Sequence, residues 1–195
     1  SFCDYNIKRD YTTFFLNENV QQTIPSTVKD YFVFFGNWNR IENSEALRWF
    51  LNNVYPGFKG EQHFLVIGGG LSAEIRKEIK AFENIEYLGF VDNPYPLIAE
   101  AKAMIAPLHL GAGVKVKCIE AMACGTSVIG TEVAFEGISD EYKELMNFAD
   151  SPEDYLNAIR AISPSIEEKL AAKQHFISTY NQKKVLDYIK GFADK

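Results

Sequence analysis

Short apolar runs alternate with amphipathic stretches along most of the chain. The apolar runs predict strands at residues 31–35, 63–67, 85–88, 103–106, 127–129 and, more weakly, 145–148. Helical spacing of apolar residues follows at 44–54, 73–82, 95–101 and through 120–123, and helical segments continue towards the C-terminus. This alternation is typical of βαβ units, which form a parallel sheet with helices on both faces. We therefore predict an α/β, Rossmann-like three-layer domain with a parallel sheet of about six strands.

The same pattern divides the chain into two unequal parts. Residues 1–30 show no clear periodicity, and we expect them to be an inter-domain or N-terminal remnant segment. Residues 31–192 carry the predicted strands and helices, including the C-terminal helices, and we expect them to form one domain.

Composition places the chain among ordinary globular proteins. Hydrophobic residues make up 47% and charged residues 24% of its 195 positions. No run approaches the roughly 18 consecutive apolar residues that indicate a transmembrane helix. The net charge of −6 argues against a nucleic-acid partner, because binding a phosphate backbone requires a basic face. We expect a cytoplasmic protein whose three cysteines are small, buried and reduced.

The glycine-bearing segment after the fourth predicted strand is the strongest candidate for chemistry. We expect a helix to begin near residue 114 or 115, and unhindered backbone before it can turn N–H groups towards an anion. The positive end of the helix dipole favours an anion at the same place. The loop residues concerned are Gly111, Ala112, Gly113 and Val114.

Lys115, Lys117 and Glu120 lie in the first turns of that helix. Lysine is unfavourable near a helix N-terminus by the dipole alone, so an external anion explains both cations. Glu120 can reach the same rim, where a carboxylate can accept hydrogen bonds from vicinal hydroxyls. The alternative interpretation is an ordinary surface pair between Lys117 and Glu120, with the glycines serving only as a turn.

Two other strand ends carry candidate ligand contacts. Gly36 leaves room for a ligand after the first predicted strand, and Arg40 can bind a diphosphate through the N–H donors of its guanidinium group. Gly68 to Gly70, followed by Ala73, fit GxGxxA, which by itself predicts an NAD-type pyrophosphate site. That fingerprint normally follows the first strand of its unit, whereas a full strand and helix precede it here.

Known catalytic and metal-binding patterns are missing from the sequence. It contains no HExxH, no His/Cys ligand spacing and no Asp-x-Asp, so no metal site is predicted. No serine lies in a nucleophile elbow. The candidate residues therefore describe a binding site without an obvious catalytic base.

Residues 111–131, together with 136–138, resemble the donor motif of the GT-B glycosyltransferases of family 4, the glycosyl transferases group 1. Further similarities are Arg40 and Asn43, residues 66–70, residues 88–92 and the C-terminal residues 176–189. The resemblance spans about residues 31–192. It implies the C-terminal, Rossmann-like domain of a retaining glycosyltransferase, which binds a nucleotide-diphospho-sugar donor.

The resemblance also implies roles for individual side chains. Glu120 is expected to bind the ribose hydroxyls, while Arg40 and Lys115 or Lys117 neutralise the diphosphate leaving group. The amides of residues 111–114 are expected to assist. Because such enzymes use positive side chains for this purpose, no metal or other cofactor is expected.

Phe90 and Val91, after the third predicted strand, are expected to lie beside the nucleobase. Ala112 departs from the family's two-glutamate signature, which has an acidic residue there, eight positions before Glu120. A subgroup with a small residue, glycine and lysine in this loop is the closer match.

The implied partners are the donor, a glycan or lipid-linked acceptor, and an N-terminal domain of the same protein that is absent from this chain. We expect any membrane association to come from that domain, and the isolated fragment to be inactive. Two other functions stay open. One is an NAD(P)-binding oxidoreductase domain built on residues 68–73, and the other is a non-catalytic module that binds sugar nucleotides.

Overall fold

The six apolar runs form one parallel sheet in the computed structural model, which describes residues 15–58 and 60–180. The strands are β1 (Phe32–Phe35), β2 (Phe64–Ile67), β3 (Ile85–Gly89), β4 (Met104–Ala106), β5 (Val128–Gly130) and β6 (Met146–Phe148). Their spatial order is β3-β2-β1-β4-β5-β6, and every pairing is parallel. The predicted α/β, Rossmann-like fold is therefore confirmed.

Helices cover both faces of this sheet. In the described residues they are α1 (Glu18–Gln22), α2 (Ile41–Asn53), α3 (Ala73–Ile79), α4 (Tyr95–Glu100), α5 (Val116–Ala123), α6 (Glu132–Phe135), α7 (Pro152–Ala161) and α8 (Ile166–Thr179). Short 3-10 helices occur at Tyr55–Phe58 and Asp140–Leu145. Among these residues, none of the helices has the length and apolarity needed to cross a membrane.

Alternate residues of the strands build two separate cores. In β1, Phe32 and Phe34 point to the face covered by α2, α3 and α7, where they meet Phe50 and Phe64. Val33 points to the opposite face, which α4, α5 and α8 cover. Because side chains alternate along a strand, one apolar run serves both layers, and the many phenylalanines collect mainly on the first face.

The N-terminal segment packs against the domain from residue 15 onward. The five-residue helix α1 was not predicted, because so short a segment cannot show helical periodicity. Its Val20 is fully buried in the core. The predicted boundary near residue 30 remains a prediction, and residues 1–14 and 181–192 lie outside the described residues.

Two lysines of α8 join this helix to neighbouring helices through hydrogen bonds. Lys169 Nζ donates hydrogen bonds to the Ala101 carbonyl and to Thr126 Oγ1, each at 2.8 Å. Lys173 Nζ donates to the carbonyls of Val20 and Ala123 at 3.2 and 3.1 Å. Both amines thus satisfy carbonyls at or near the ends of buried helices, which would otherwise lack partners.

Candidate functional site

A cavity of about 730 Å³ opens at the carboxyl ends of β1 and β4. These strands are neighbours in the sheet but are separated in the chain by β2 and β3, so the loops that follow them diverge. Ligands of open α/β sheets bind at such a switch point. The cavity is lined by the residues after β1, β2, β3 and β4 together with the start of α5.

Ten of the eleven predicted site residues line this cavity. They are Gly36, Arg40, Phe90, Val91, Gly111, Ala112, Val114, Lys115, Lys117 and Glu120. Gly113 is the exception, because its N–H donates to Glu136 Oε2 at 2.8 Å. The functional roles of these residues remain predictions, but the fold brings their side chains and backbone together.

Helix α5 begins at Val116, later than the predicted residue 114 or 115. Gly111 and Gly113 have positive φ angles of 104° and 79°, which keep the preceding loop out of the helical conformation. Lys115 is the N-cap residue, and its side chain makes no capping hydrogen bond. The helix N-terminus faces the cavity with Lys115, Val116 and Lys117 on its wall.

Lys115 already has an anionic partner within the chain. Its Nζ lies 3.3 Å from Glu136 Oε2 and also donates to the Gly113 carbonyl. The Glu136 carboxylate thus accepts from both Lys115 and the Gly113 amide, the two kinds of donor that were predicted for an external anion. Glu136 belongs to the stretch that resembles the donor motif, but its contact with Lys115 cannot be predicted from the sequence, because 21 residues separate the two.

Lys117 meets a neutral partner instead. Its Nζ donates to Asn43 Oδ1 at 2.5 Å, across the cavity wall between α5 and α2. Burial lowers the pKa of Lys117 to about 8. The predicted alternative, a surface pair between Lys117 and Glu120, is wrong, because each side chain bonds to a residue from another element.

Glu120 is held by Tyr95, the first residue of α4. The Tyr95 hydroxyl donates to Glu120 Oε1 at 3.0 Å, and Tyr95 itself is buried. Burial raises the pKa of Glu120, and the hydrogen bond from Tyr95 opposes that rise. Burial and the adjacent carboxylate raise the pKa of Tyr95, so its hydroxyl keeps the proton that it donates.

Arg40 stands at the mouth of the cavity, where 68% of its side chain is exposed. Its guanidinium contacts Glu42 Oε1 at 2.6 Å. A backbone N–H and the Arg40 guanidinium hold the pKa of Glu42 below its usual value. The arginine is available to a ligand, provided that its contact with Glu42 is exchanged or shared.

Phe90 and Val91 give the cavity wall an apolar part. Phe90 follows β3 and is 77% exposed, so its ring offers a face to a planar ligand. Val91 lies next to it and packs partly into the core.

The Gly68–Gly70 turn has a structural explanation of its own. Gly68 has a φ of 121°, and a Cβ at this position would overlap the Gly36 carbonyl oxygen. The backbone N–H of Trp38 donates to the Gly69 carbonyl at 2.9 Å. This hydrogen bond joins the loops after β1 and β2. Gly68 is therefore required by loop-to-loop contact, without any pyrophosphate.

The comparison with protein families points to one family. The model described as glycosyl transferases group 1 matches residues 29–164 of this chain. Among curated proteins, a relative from Klebsiella pneumoniae, described as an uncharacterized 44.6 kDa protein in the cps region, is 27% identical over 172 residues. The alignment covers 80% of this chain but 44% of the relative, so the chain spans less than half of that protein's length.

Solved structures share the fold. TarM superposes with a TM-score of 0.65 at 16% identity, covering 85% of this chain and 35% of that one. Alr3699/HepE from Anabaena, solved with UDP and glucose, gives a TM-score of 0.59 at 12% identity, covering 85% and 48%. At these identities the likeness concerns the architecture alone.

Proposed function

Because the chain belongs to the glycosyl transferases group 1 family, we propose that it holds the nucleotide-diphospho-sugar donor of a retaining glycosyltransferase. The observation that carries this proposal is the set of chemical groups that line one cavity. Cationic side chains, a helix N-terminus, a half-buried carboxylate and an exposed aromatic ring line the same space of about 730 Å³. These are the groups that a diphosphate, a ribose and a nucleobase require.

The cationic end is assigned to the diphosphate. Arg40, Lys115 and Lys117 come from two loops and one helix start that converge on the switch point. As the bond to the sugar breaks, negative charge grows on the departing diphosphate, and fixed cations stabilise that charge. Glu42 pairs with Arg40 and Glu136 pairs with Lys115, so the diphosphate competes with these carboxylates.

The other end is assigned to the nucleoside. Glu120 accepts hydrogen bonds from the ribose hydroxyls, with one carboxylate oxygen held by Tyr95. Phe90 stacks against the base, and Val91 packs beside it. The sheet sets the spacing between the ribose and base contacts, because Glu120 and Phe90 lie on segments that follow β4 and β3.

The acceptor in this proposal is a polysaccharide or a lipid-linked glycan. The curated relative lies in a cps region, and one structural neighbour, WaaG, is described as a glycosyltransferase of lipopolysaccharide biosynthesis. Because the chain spans 44% of that relative, the acceptor site and the remaining catalytic groups are assigned to a further domain of the full-length protein.

The three cations also make transfer independent of a divalent metal in this proposal. Positive side chains can supply the charge that a metal supplies elsewhere. We therefore expect EDTA to leave nucleoside-diphosphate binding unchanged. A loss of binding in EDTA that added Mg²⁺ or Mn²⁺ restores would refute this part of the proposal.

A thermal-shift screen tests the function directly. The chain is heated with UDP, GDP, ADP, the corresponding nucleotide sugars, and NAD⁺ or NADH. We expect one nucleoside diphosphate and its sugar conjugates to raise the melting temperature. A response to the nicotinamide cofactors alone would instead support the oxidoreductase alternative. Transfer assays on the full-length protein, with product anomers followed by NMR, test catalysis and retention.

A further inference from the structure

Asn43 is the side chain that the Lys117 amine contacts in this structure, at 2.5 Å. Asn43 lies in the first turn of α2 and Lys117 in the first turn of α5, so the contact joins two walls of the cavity. We propose that Asn43 is a positioning residue of the donor site, which holds the Lys117 ammonium towards the diphosphate. This inference rests on the proposed function.

The orientation of the Asn43 amide follows from its second contact. Its Nδ2 donates to the Asn37 carbonyl at 2.8 Å. A carbonyl can only accept, so the amide nitrogen must face Asn37, which turns Oδ1 towards Lys117. An ammonium can only donate, so both contacts require the same orientation of the amide.

Gly36 leaves the space that this amide occupies. A Cβ at residue 36 would lie 3.0 Å from Asn43 Nδ2, which is closer than ordinary van der Waals contact. The glycine that was predicted to let a ligand approach therefore also accommodates Asn43. Strand β1, the loop after it and α2 together fix the position of one amide oxygen.

A neutral partner positions Lys117 without cancelling its charge. Arg40 and Lys115 are each paired with a carboxylate, from Glu42 and Glu136. Lys117 has three N–H donors when protonated, and one of them goes to Asn43. A protonated amine that is held in place by a neutral partner is suited to stabilise a departing anion.

The surroundings make the charge of Lys117 sensitive to pH. Burial lowers its pKa to about 8, Cys118 and Glu42 act to raise it, and Arg40 and Lys115 act to lower it further. A bound diphosphate favours the protonated form. The affinity for a diphosphate is therefore expected to fall as pH rises above about 8, since the lysine must then gain a proton on binding.

Three variants test the role of Asn43. Asn43→Leu keeps a similar size but removes both hydrogen bonds, and Asn43→Asp replaces the neutral oxygen with a carboxylate. Asn52→Asp is the matched control, because Asn52 is exposed on the same helix and does not line the cavity. Binding of UDP, GDP, ADP and inorganic pyrophosphate is measured by isothermal titration calorimetry from about pH 7, above the roughly 6 of the last phosphate pKa.

Each substitution has its own expected signature. Asn43→Leu should weaken binding of the nucleoside diphosphate about tenfold near neutral pH, as expected for loss of a hydrogen bond to a charged group. Asn43→Asp should weaken it too, because the carboxylate neutralises Lys117, and should move the loss of binding upward by about one pH unit. Asn52→Asp should match the wild type.

A double-mutant cycle separates positioning from general damage. In a Lys117→Gln background, Asn43→Leu should cost far less affinity than it does in the wild type. If the wild type binds a nucleoside diphosphate but both Asn43 variants keep its affinity and pH profile, the inference alone is wrong. If the wild type binds none of the probes, the proposed function fails and the inference fails with it. If Asn43→Leu does not fold, the affinity and pH profile of Asn43→Asp decide whether the inference holds.

Discussion

Single side chains from distant parts of the chain complete the cavity. Tyr95 and Glu120 are 25 residues apart, and Asn43 and Lys117 are 74 apart, yet each pair forms one hydrogen bond. A sequence pattern predicts which residues follow strands, and it therefore identified Lys117 and Glu120. It cannot predict which polar partner from another strand end will face them, because that depends on the sheet order and on rotamers.

Tyr95→Phe tests the contact that orients the ribose-binding carboxylate. The variant removes the hydroxyl that donates to Glu120, so the pKa of Glu120 should rise further and its orientation should be lost. We expect nucleoside-diphosphate affinity to fall by about tenfold or more, as for loss of a hydrogen bond to a charged group. Calorimetry checks this. Tyr87→Phe on β3, outside the cavity, is the control, and equal affinities in both variants would contradict the assignment.

Glu136→Gln tests whether this carboxylate competes with the diphosphate. The substitution removes the negative charge that now pairs with Lys115 and accepts from the Gly113 amide. Affinity for the nucleoside diphosphate should rise by about three- to tenfold at low salt, and the gain should shrink as salt is added. Glu132→Gln, an exposed acid nearby on α6, controls for net charge. Weaker binding by Glu136→Gln alone would show that Glu136 supports the site.

At the scale of elements, the sequence predicted the strands well and the helix starts less well. Five of the six apolar runs end next to a glycine or a proline, which marks the strand end, and all six strands agree with their predicted bounds within one residue. The start of α5 lies one residue beyond the predicted range because Lys115 has an extended backbone, with a φ of −92° and a ψ of 91°.

Gly125→Ala tests the junction between α5 and α8. Gly125 follows α5 with a φ of 77°, and a Cβ there would overlap the Lys169 carbonyl oxygen. We expect urea denaturation to show a loss of at least about 2 kcal/mol in the free energy of unfolding, from strain and displacement of α8. Gly89→Ala is the matched control.

The control residue Gly89 shares the left-handed backbone conformation of Gly125, but a Cβ at Gly89 would overlap no other atom. Gly89 has a φ of 71°, and a Cβ there would meet no atom within 4 Å. Only the left-handed backbone then costs energy, about 1 kcal/mol. Equal destabilisation by the two substitutions would mean that α8 moves to accommodate the added methyl group at little cost in free energy.

At the scale of the whole molecule, buried lysine couples stability to pH. Burial lowers the pKa of Lys169 from its usual 10.5 to about 7. Between these values the unfolded chain holds more protons than the folded one, so stability rises with pH, by up to about 1.4 kcal/mol per pH unit. Lys173 and Lys117 act in the same direction, because burial also lowers their pKa.

Lys169→Met tests this coupling. Urea unfolding at about pH 7 and about pH 8.5 should show the wild type gaining about 1 to 2 kcal/mol more than the variant. Lys143→Met, at an exposed position, should keep the wild-type dependence. Identical pH dependence in Lys169→Met and the wild type would show that Lys169 keeps its ordinary pKa in the fold.

The central claim is that a nucleoside diphosphate occupies the cavity between the loops after β1 and β4. Amide chemical-shift mapping of the ¹⁵N-labelled chain tests it most directly, with the nucleoside diphosphate that gives the largest thermal shift. We predict that the perturbed amides cluster at residues 36–43, 90–91 and 111–120. Perturbations confined to the opposite, amino-terminal edge of the sheet, or none at any nucleoside diphosphate, would contradict the account.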